Sequence, residues 1–395
     1  MRALVLGGAG AVCEETVRDL SKFSPFSQIA IADINHQKVQ QLIDELEDKR
    51  LVALPFDADD YQSMVRLFPD FDVVVNGLPY RYDYLVNKAC VECGVNGLDL
   101  SSSDPQFELH HQALEEDMIF IPGVGATPGI TNMMAKRAAE ELDHMDEVEI
   151  AFAAFRCLAP APGLLQTTLW EFNPEEPERE AVYYEDGTWH PSPPLSGEKT
   201  VQFHDQIGEQ KVYLVPHDEV NTLPVSFPGL KRVAVRGCFP PHVMELMGVL
   251  MRNGLLSNRK VRIGDREISS LEMIRALLGS NPSSLENEVW GYGLVLEARG
   301  VKNGHRATCL YRSHHPPASE WGAKSAYFKN VGIPLSIGAI LIAQGQVTRR
   351  GVLPPEVCFP TREFFEALAQ RGIWIEETVI VSGILAESNH GTKLS

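Results

Sequence analysis

Glycines spaced for a diphosphate, followed further along by a carboxylate, are the first chemistry this chain shows. Val5-Leu6 runs into Gly7-Gly8-Ala9-Gly10-Ala11-Val12-Cys13. Gly8 and Gly10 take the first two places of the pattern GxGxxG. The first permits a tight turn, and the second lets the backbone around Ala9, Ala11 and Val12 approach a pyrophosphate at the positive end of a helix. The third place holds Cys13, which is expected to loosen the contact of helix and sheet while leaving the phosphate cradle intact. Asp33 follows Gly10 by 23 residues. A carboxylate there accepts hydrogen bonds from both ribose hydroxyls and repels a 2′-phosphate, so NAD is favoured over NADP, with Lys38 nearby softening the preference. The plainer alternative is that the glycines only turn the chain and Asp33 caps the next helix.

Three later segments fall just beyond strand ends, where ligands of such sheets bind. They are Asn76-Gly77-Leu78-Pro79-Tyr80-Arg81, Asp99-Leu100-Ser101-Ser102-Ser103 and Gly123-Val124-Gly125-Ala126-Thr127-Pro128-Gly129. Asn76, Gly77, Leu78, Pro79, Ser101 and Gly125 are the expected cofactor-lining residues. Tyr80 and Arg81 are the substrate-side candidates, Tyr80 as a catalytic group and Arg81 because a guanidinium grips a carboxylate with two parallel bonds. Asn132 is a candidate donor to substrate from a helix start. Asp99 could serve as a base or orient a neighbour, and a capping role in the turn is the alternative. In the later half, His217 is the clearest group to titrate near neutral pH. His110-His111 and His314-His315 lack metal-ligand spacing, and no metal site is expected. Cys90 and Cys93 form a CxxC, but with Val86 and Ala89 they make the apolar stripe of a helix.

The elements that must hold these groups are legible as alternation. Apolar runs at Ala3–Leu6, Ile29–Ala32, Leu51–Leu54, Val73–Val75, Leu98–Leu100 and Ile119–Ile121 predict strands separated by helices, which is a doubly wound parallel sheet. The residues Pro160 to Pro194 read as an irregular entry into a second domain. Strands are predicted at Val212–Val215 and Arg232–Arg236, and a helix at Pro241–Asn253. Alternation through Tyr292–Ala298 and Ala307–Tyr311 around Asn303-Gly304 predicts a hairpin. The second domain is thus α+β with a mixed or antiparallel sheet. A helix near Pro334–Gln344, a turn at Gly351–Pro355 and a helix capped by Thr361 follow, with Phe364, Phe365, Leu368 and Ala369 buried. The tail from about Glu387 is expected to be flexible.

Bulk properties bound the answer. With 395 residues the chain exceeds one ordinary core, and 44% hydrophobic and 22% charged residues are those of a globular protein. A net charge of -18 opposes binding to a phosphate backbone, so nucleic acid is excluded as a partner. No leader or membrane-spanning run is read, the apolar stretch Ile333–Ala343 being too short, and seven scattered cysteines suit reduced thiols; the expected location is cytoplasmic.

Together these residues resemble the saccharopine dehydrogenase (reductase) family, including lysine 6-dehydrogenase-like members. Val5–Gly10, Asp72–Asn76, Asp99–Ser101, Gly125–Gly129, the stretch from Ala326-Tyr327 to Pro334, and Gly351–Pro355 carry the likeness over most of the chain. The resemblance implies a Rossmann domain at residues 1–131, completed by about 335–380, and a substrate and dimerisation domain at 132–334 whose sheet forms the dimer contact and the cleft floor. It implies NAD(P)-linked oxidation at a C–N bond of an amino acid or amine, or the reverse, in a homodimer. A carboxyspermidine-type dehydrogenase is one alternative, and a dinucleotide-binding sensor or scaffold without turnover is another.

Overall fold

The computed structural model describes residues 1–280, 289–382 and 392–394. Two units emerge, one made chiefly of Met1–Arg137 and Phe328–Trp374, the other of Ala138–Tyr327 and Ile375–Lys393.

In the first unit, short runs of branched apolar residues form the parallel strands β1 (Arg2–Leu6), β2 (Gln28–Asp33), β3 (Leu51–Pro55), β4 (Val73–Asn76), β5 (Asn96–Asp99) and β6 (Ile119–Ile121). Helices cover both faces, so residues on either side of a strand are buried and no polar alternation shows. The sheet has seven strands in the order Gly351–Val352, β6, β5, β4, β1, β2, β3. This is the dinucleotide-binding order, and its connections reverse direction between β1 and β4, opening a crevice beyond their carboxyl ends. Gly351-Val352, expected as part of a turn, is instead the seventh strand, paired in parallel with Ile119-Phe120. Two residues are too few for alternation to show. The fifth strand ends at Asp99, so Leu100 lies outside it.

Helix α1 (Ala11–Phe23) follows the glycine turn. It is fastened to later segments of the same unit. Thr16 Oγ1 donates to the Gly332 carbonyl at 2.9 Å, Ser336 Oγ donates to Asp19 at 2.6 Å, and Arg371 Nε donates to both Asp19 oxygens at 2.8 Å. The helix carrying Gly332 runs Ser325–Ala343, with Pro334 inside it rather than at its start. It is the one helix among the described residues long and apolar enough to cross a bilayer, but 83% of its apolar window is buried in the protein. A helix enclosed on all sides carries no polar stripe, which is why its first turns were illegible. The helix Thr361–Gln370 has Pro360, not Thr361, at its cap, and buries Phe364, Phe365 and Leu368, with Ala369 half-buried. Cys90 lies in the core, and Cys93 donates to the Val65 carbonyl.

The second unit is built around β7 (His144–Phe155), a strand the sequence reading missed. It pairs in parallel with Arg232–Cys238 and antiparallel with Gly291–Lys302, so the sheet is mixed. The hairpin Gly291–Lys302/His305–His314 turns through Asn303 and Gly304, both at positive φ, as expected for Asn-Gly. The stretch from Pro160 is not irregular: it holds the helix Pro162–Glu171, a 3₁₀ turn at Pro177–Glu180 and the strands Tyr183–Glu185 and Thr188–His190. Of the expected flexible tail, residues 387–391 and 395 lie outside the described residues, and Thr392–Leu394 is a strand.

Candidate functional site

The glycine turn has the shape a diphosphate needs. Gly7 stands at φ +66°, and Gly10 N donates to the Gly7 carbonyl at 2.8 Å, closing the turn as α1 begins. A Cβ on Gly8 would stand 2.5 Å from Ile31 Cγ2, and one on Gly10 3.0 Å from the Gly7 oxygen. Gly10 is the N-cap of α1 and caps it with no side chain, so the amides of Ala11 and Val12 are left for an anion. The Ala9 amide is used differently and donates to Asp33 Oδ2 at 3.1 Å. The other oxygen of Asp33 accepts from Asn35 N at 2.8 Å, while Asn35, not Asp33, caps the next helix through Lys38 N. Asp33 is thereby aimed from the end of β2 across the turn. Lys38 Nζ lies against the Ala9 carbonyl and 3.4 Å from Glu14.

Cys13 does not loosen the helix. It is 1% exposed, and its sulfur fills the space that a side chain on Gly77 would occupy. A thiol on α1 and a bare glycine after β4 are therefore complementary. Asn76 is buried and shares its amide between neighbours: Oδ1 accepts from Leu78 N at 3.1 Å, and Nδ2 donates to Asp83 at 2.9 Å. Ser101 donates to the other Asp83 oxygen, so the loops after β4 and β5 are joined. Pro79 and Tyr80 are exposed beside them.

Two predicted site residues, Asp99 and Asn132, are committed to structure, and Arg81 is partly engaged. Asp99 is fully buried, accepting from Gln106 Nε2 at 2.6 Å and from Gly123 N at 3.3 Å, which is the capping alternative. Asn132 is 1% exposed, accepting from Gly129 N at 2.8 Å and donating to Glu356 at 2.9 Å, so its amide braces the loop and is not offered to a substrate. Gly125 and Gly129 let this loop cross itself, with Gly125 N donating to the Pro128 carbonyl at 2.8 Å, because a Cβ on Gly129 would overlap Gly125 backbone. Arg81 lies over the Tyr82 ring at 4.6 Å and donates to its hydroxyl, which donates to Asp59. Arg81 is exposed, and its bond to Tyr82 uses one of its nitrogens.

The second unit buries a charged cluster that only partly coincides with the sequence candidates. His217 follows the strand Glu209–Leu214 and is 14% exposed, its Nδ1 2.6 Å from Glu219 Oε2, a carboxylate with no exposure. Burial opposes the imidazolium, but Glu219, with Asp218 and Glu171 beyond it, outweighs that and lifts the ring to about 9. His217 therefore carries its proton at neutral pH and does not titrate there as expected. Phe152 of β7 packs 5.3 Å from it, and the Tyr292 and Tyr327 rings lie 5.2 Å apart, tilted by 31°. Glu171, at the end of its helix, is pushed up to about 7 by burial, against the pull of His217, Arg156 and Arg179. Burial lowers Arg179 to about 10. Arg156 donates to the carbonyls of Cys157, Leu158 and Leu164 and to Thr168 Oγ1, and lies over the rings of Phe239 and Tyr327. The sequence reading missed Glu171, Arg179 and Arg156. The available signal was a glutamate inside the apolar run Leu169-Trp170-Glu171-Phe172.

Comparison with known proteins identifies relatives of the whole arrangement. The family description "Saccharopine dehydrogenase NADP binding domain" matches residues 3–121, and "Saccharopine dehydrogenase C-terminal domain" matches residues 125–373. A carboxyaminopropylagmatine dehydrogenase of Synechocystis sp. is 27% identical over 399 aligned residues, covering 96% of this chain and 98% of that protein. The NADP(+), L-glutamate-forming saccharopine dehydrogenase of Schizosaccharomyces pombe is 25% identical over 163 residues, 41% of this chain and 36% of that one. The L-Glu-forming saccharopine dehydrogenase of Saccharomyces cerevisiae superposes with a TM-score of 0.70 at 16% identity, over 96% of this chain and 99% of that one, showing the shared fold.

Proposed function

The chain belongs to the saccharopine dehydrogenase family, and on that premise we propose that it is an NAD-preferring dehydrogenase of a carboxylated amine. It is an NAD(P)-dependent oxidoreductase acting at a C–N bond of an amino acid or amine. The cofactor, when bound, supplies or accepts the hydride. The turn Gly7–Gly10 and the first amides of α1 would hold its diphosphate. Gly77, Leu78 and Ser101 would line the crevice between the β1 and β4 loops.

One observation supports the preference for NAD: the Asp33 carboxylate stands at the end of β2, fixed by the Ala9 and Asn35 amides, and an acid at that place in such folds would face a ribose 2′-hydroxyl. A hydroxyl donates to it, whereas a phosphate is repelled. The protein's own groups have matched roles on the substrate side. His217, held charged by Glu219, donates a proton or stabilises negative charge and does not accept one below about pH 9. Glu171, raised to about 7 by burial, is suited to accepting a hydrogen bond from a substrate ammonium. Tyr80 remains a proposed contact. A homodimer and a cytoplasmic location are also part of this reading.

The full-length likeness to carboxyaminopropylagmatine dehydrogenase favours a second reading, reductive coupling of an amine with a carbonyl compound through an imine. The test is steady-state kinetics with both cofactors on saccharopine, lysine and carboxyalkylated polyamines, in both directions. Wild-type protein should use NAD(H) more efficiently than NADP(H), and Asp33→Ser should lose roughly ten- to a hundredfold in NAD(H) affinity. An unchanged cofactor ratio in Asp33→Ser would remove the basis for the preference. Cofactor binding without turnover on any member would leave a sensor or scaffold.

A further inference from the structure

Two buried charges in the second unit are left without the partners that buried charges require. Arg179 is 6% exposed, and its Nε, Nη1 and Nη2 are buried and make no hydrogen bond. Glu171 is 8% exposed, and its Oε2 is likewise buried without a partner. The two feel each other's charge, yet no ion pair joins them among the described residues. Leaving a guanidinium buried and unbonded is strongly unfavourable. The same unit shows a buried guanidinium that is largely satisfied: Arg156, 2% exposed, makes four hydrogen bonds through Nη1 and Nη2 and lies over two aromatic rings, with its Nε alone left unbonded. Arg179 has none of this.

From this contrast we propose that Arg179 and Glu171 are the two poles of a subsite for a zwitterionic amino-acid group, with the ligand's carboxylate on the Arg179 fork and its cationic amine on Glu171. An amino acid bound here supplies both missing partners at once. Its carboxylate accepts from two guanidinium nitrogens, and its ammonium donates to the glutamate. The cluster then holds two pairs, His217 with Glu219 and the ligand across Glu171 and Arg179. A simple amine lacks the first partner and a simple acid the second, so the subsite selects substrates with an intact amino-acid end. The proposal deepens the reading as an amine dehydrogenase and rests on it.

The test uses full-length protein with saturating NAD and calorimetric titration of saccharopine, L-lysine and L-glutamate, beside cadaverine and glutarate as probes lacking one pole. Wild-type protein should bind at least one amino acid and neither single-pole probe. Arg179→Met and Glu171→Gln should each weaken that binding by roughly ten- to a hundredfold. Arg179→Lys, which keeps charge but loses the fork, should fall between. Stability separates ligand binding from a structural role, because removing an unbonded buried charge should leave the melting temperature of Arg179→Met equal to or above wild type. A lowered melting temperature with unchanged amino-acid affinity would overturn the assignment. So would the absence of binding by all three amino acids in a protein whose melting temperature NAD raises. If NAD itself produces no shift, the dehydrogenase reading fails, and the subsite is then judged from amino-acid titration of the cofactor-free protein.

Discussion

The His217–Glu219 pair gives the second unit a pH-dependent stability of definite sign. Glu219 lies 2.6 Å from the ring nitrogen and is itself fully buried, and together with its acidic neighbours it raises His217 from 6.5 to about 9 despite the cost of burial. In the unfolded chain the ring titrates at about 6.5. Below that value both states carry the proton, and the whole stabilisation, about 3 kcal/mol for a shift of this size, is present. Between about 6.5 and about 9 the unfolded chain has lost its proton while the native state keeps it, so stability falls as pH rises. Most of the contribution is therefore present at pH 7 and most of it is gone by pH 9. His217→Gln can still donate to Glu219 but cannot titrate. The difference in unfolding free energy between wild type and this variant should therefore shrink by roughly 2–3 kcal/mol across that window. Urea denaturation at fixed ionic strength measures it, with fluorescence of Trp290, buried in this unit, as the signal. A difference that stays constant with pH would refute the coupling of His217 to Glu219.

Packing and burial lead to two further expectations. Gly77→Ala should cost about 1–3 kcal/mol by forcing a methyl onto the Cys13 sulfur, and Cys13→Ala in the same chain should recover most of it; strictly additive losses in a double-mutant cycle would exclude that contact. Arg371→Met should destabilise the first unit by about 3–5 kcal/mol, because Asp19, 7% exposed, keeps only Ser336 and Lys22 to oppose its burial. Adding Asp19→Asn should restore part of the loss in a denaturant titration, and a loss below about 1 kcal/mol in the single variant would show that the pair is not integral to the unit.

The residues themselves determined the first unit and half of its chemistry. Short branched runs, glycines at a strand end and an acid at the next strand end specify the parallel sheet and the dinucleotide turn, because each depends on neighbours within a few residues or on one βαβ repeat. The Asn-Gly hairpin was legible for the same reason. What tertiary structure decided is which side chains remain available. Asp99 and Asn132 have the right chemistry by type, but Gln106 and Glu356 occupy them, and no spacing rule reveals partners as much as 224 residues away. The helix Ser325–Ala343 was shortened because an element enclosed on all sides shows no periodic polar face, and in the strand His144–Phe155 the polar alternation stops at Ile150, beyond which every residue is buried. Arg179 became visible only through burial, and Glu171 carried no more than its place in an apolar run: a charge acquires meaning when folding removes water from it and gives it no partner.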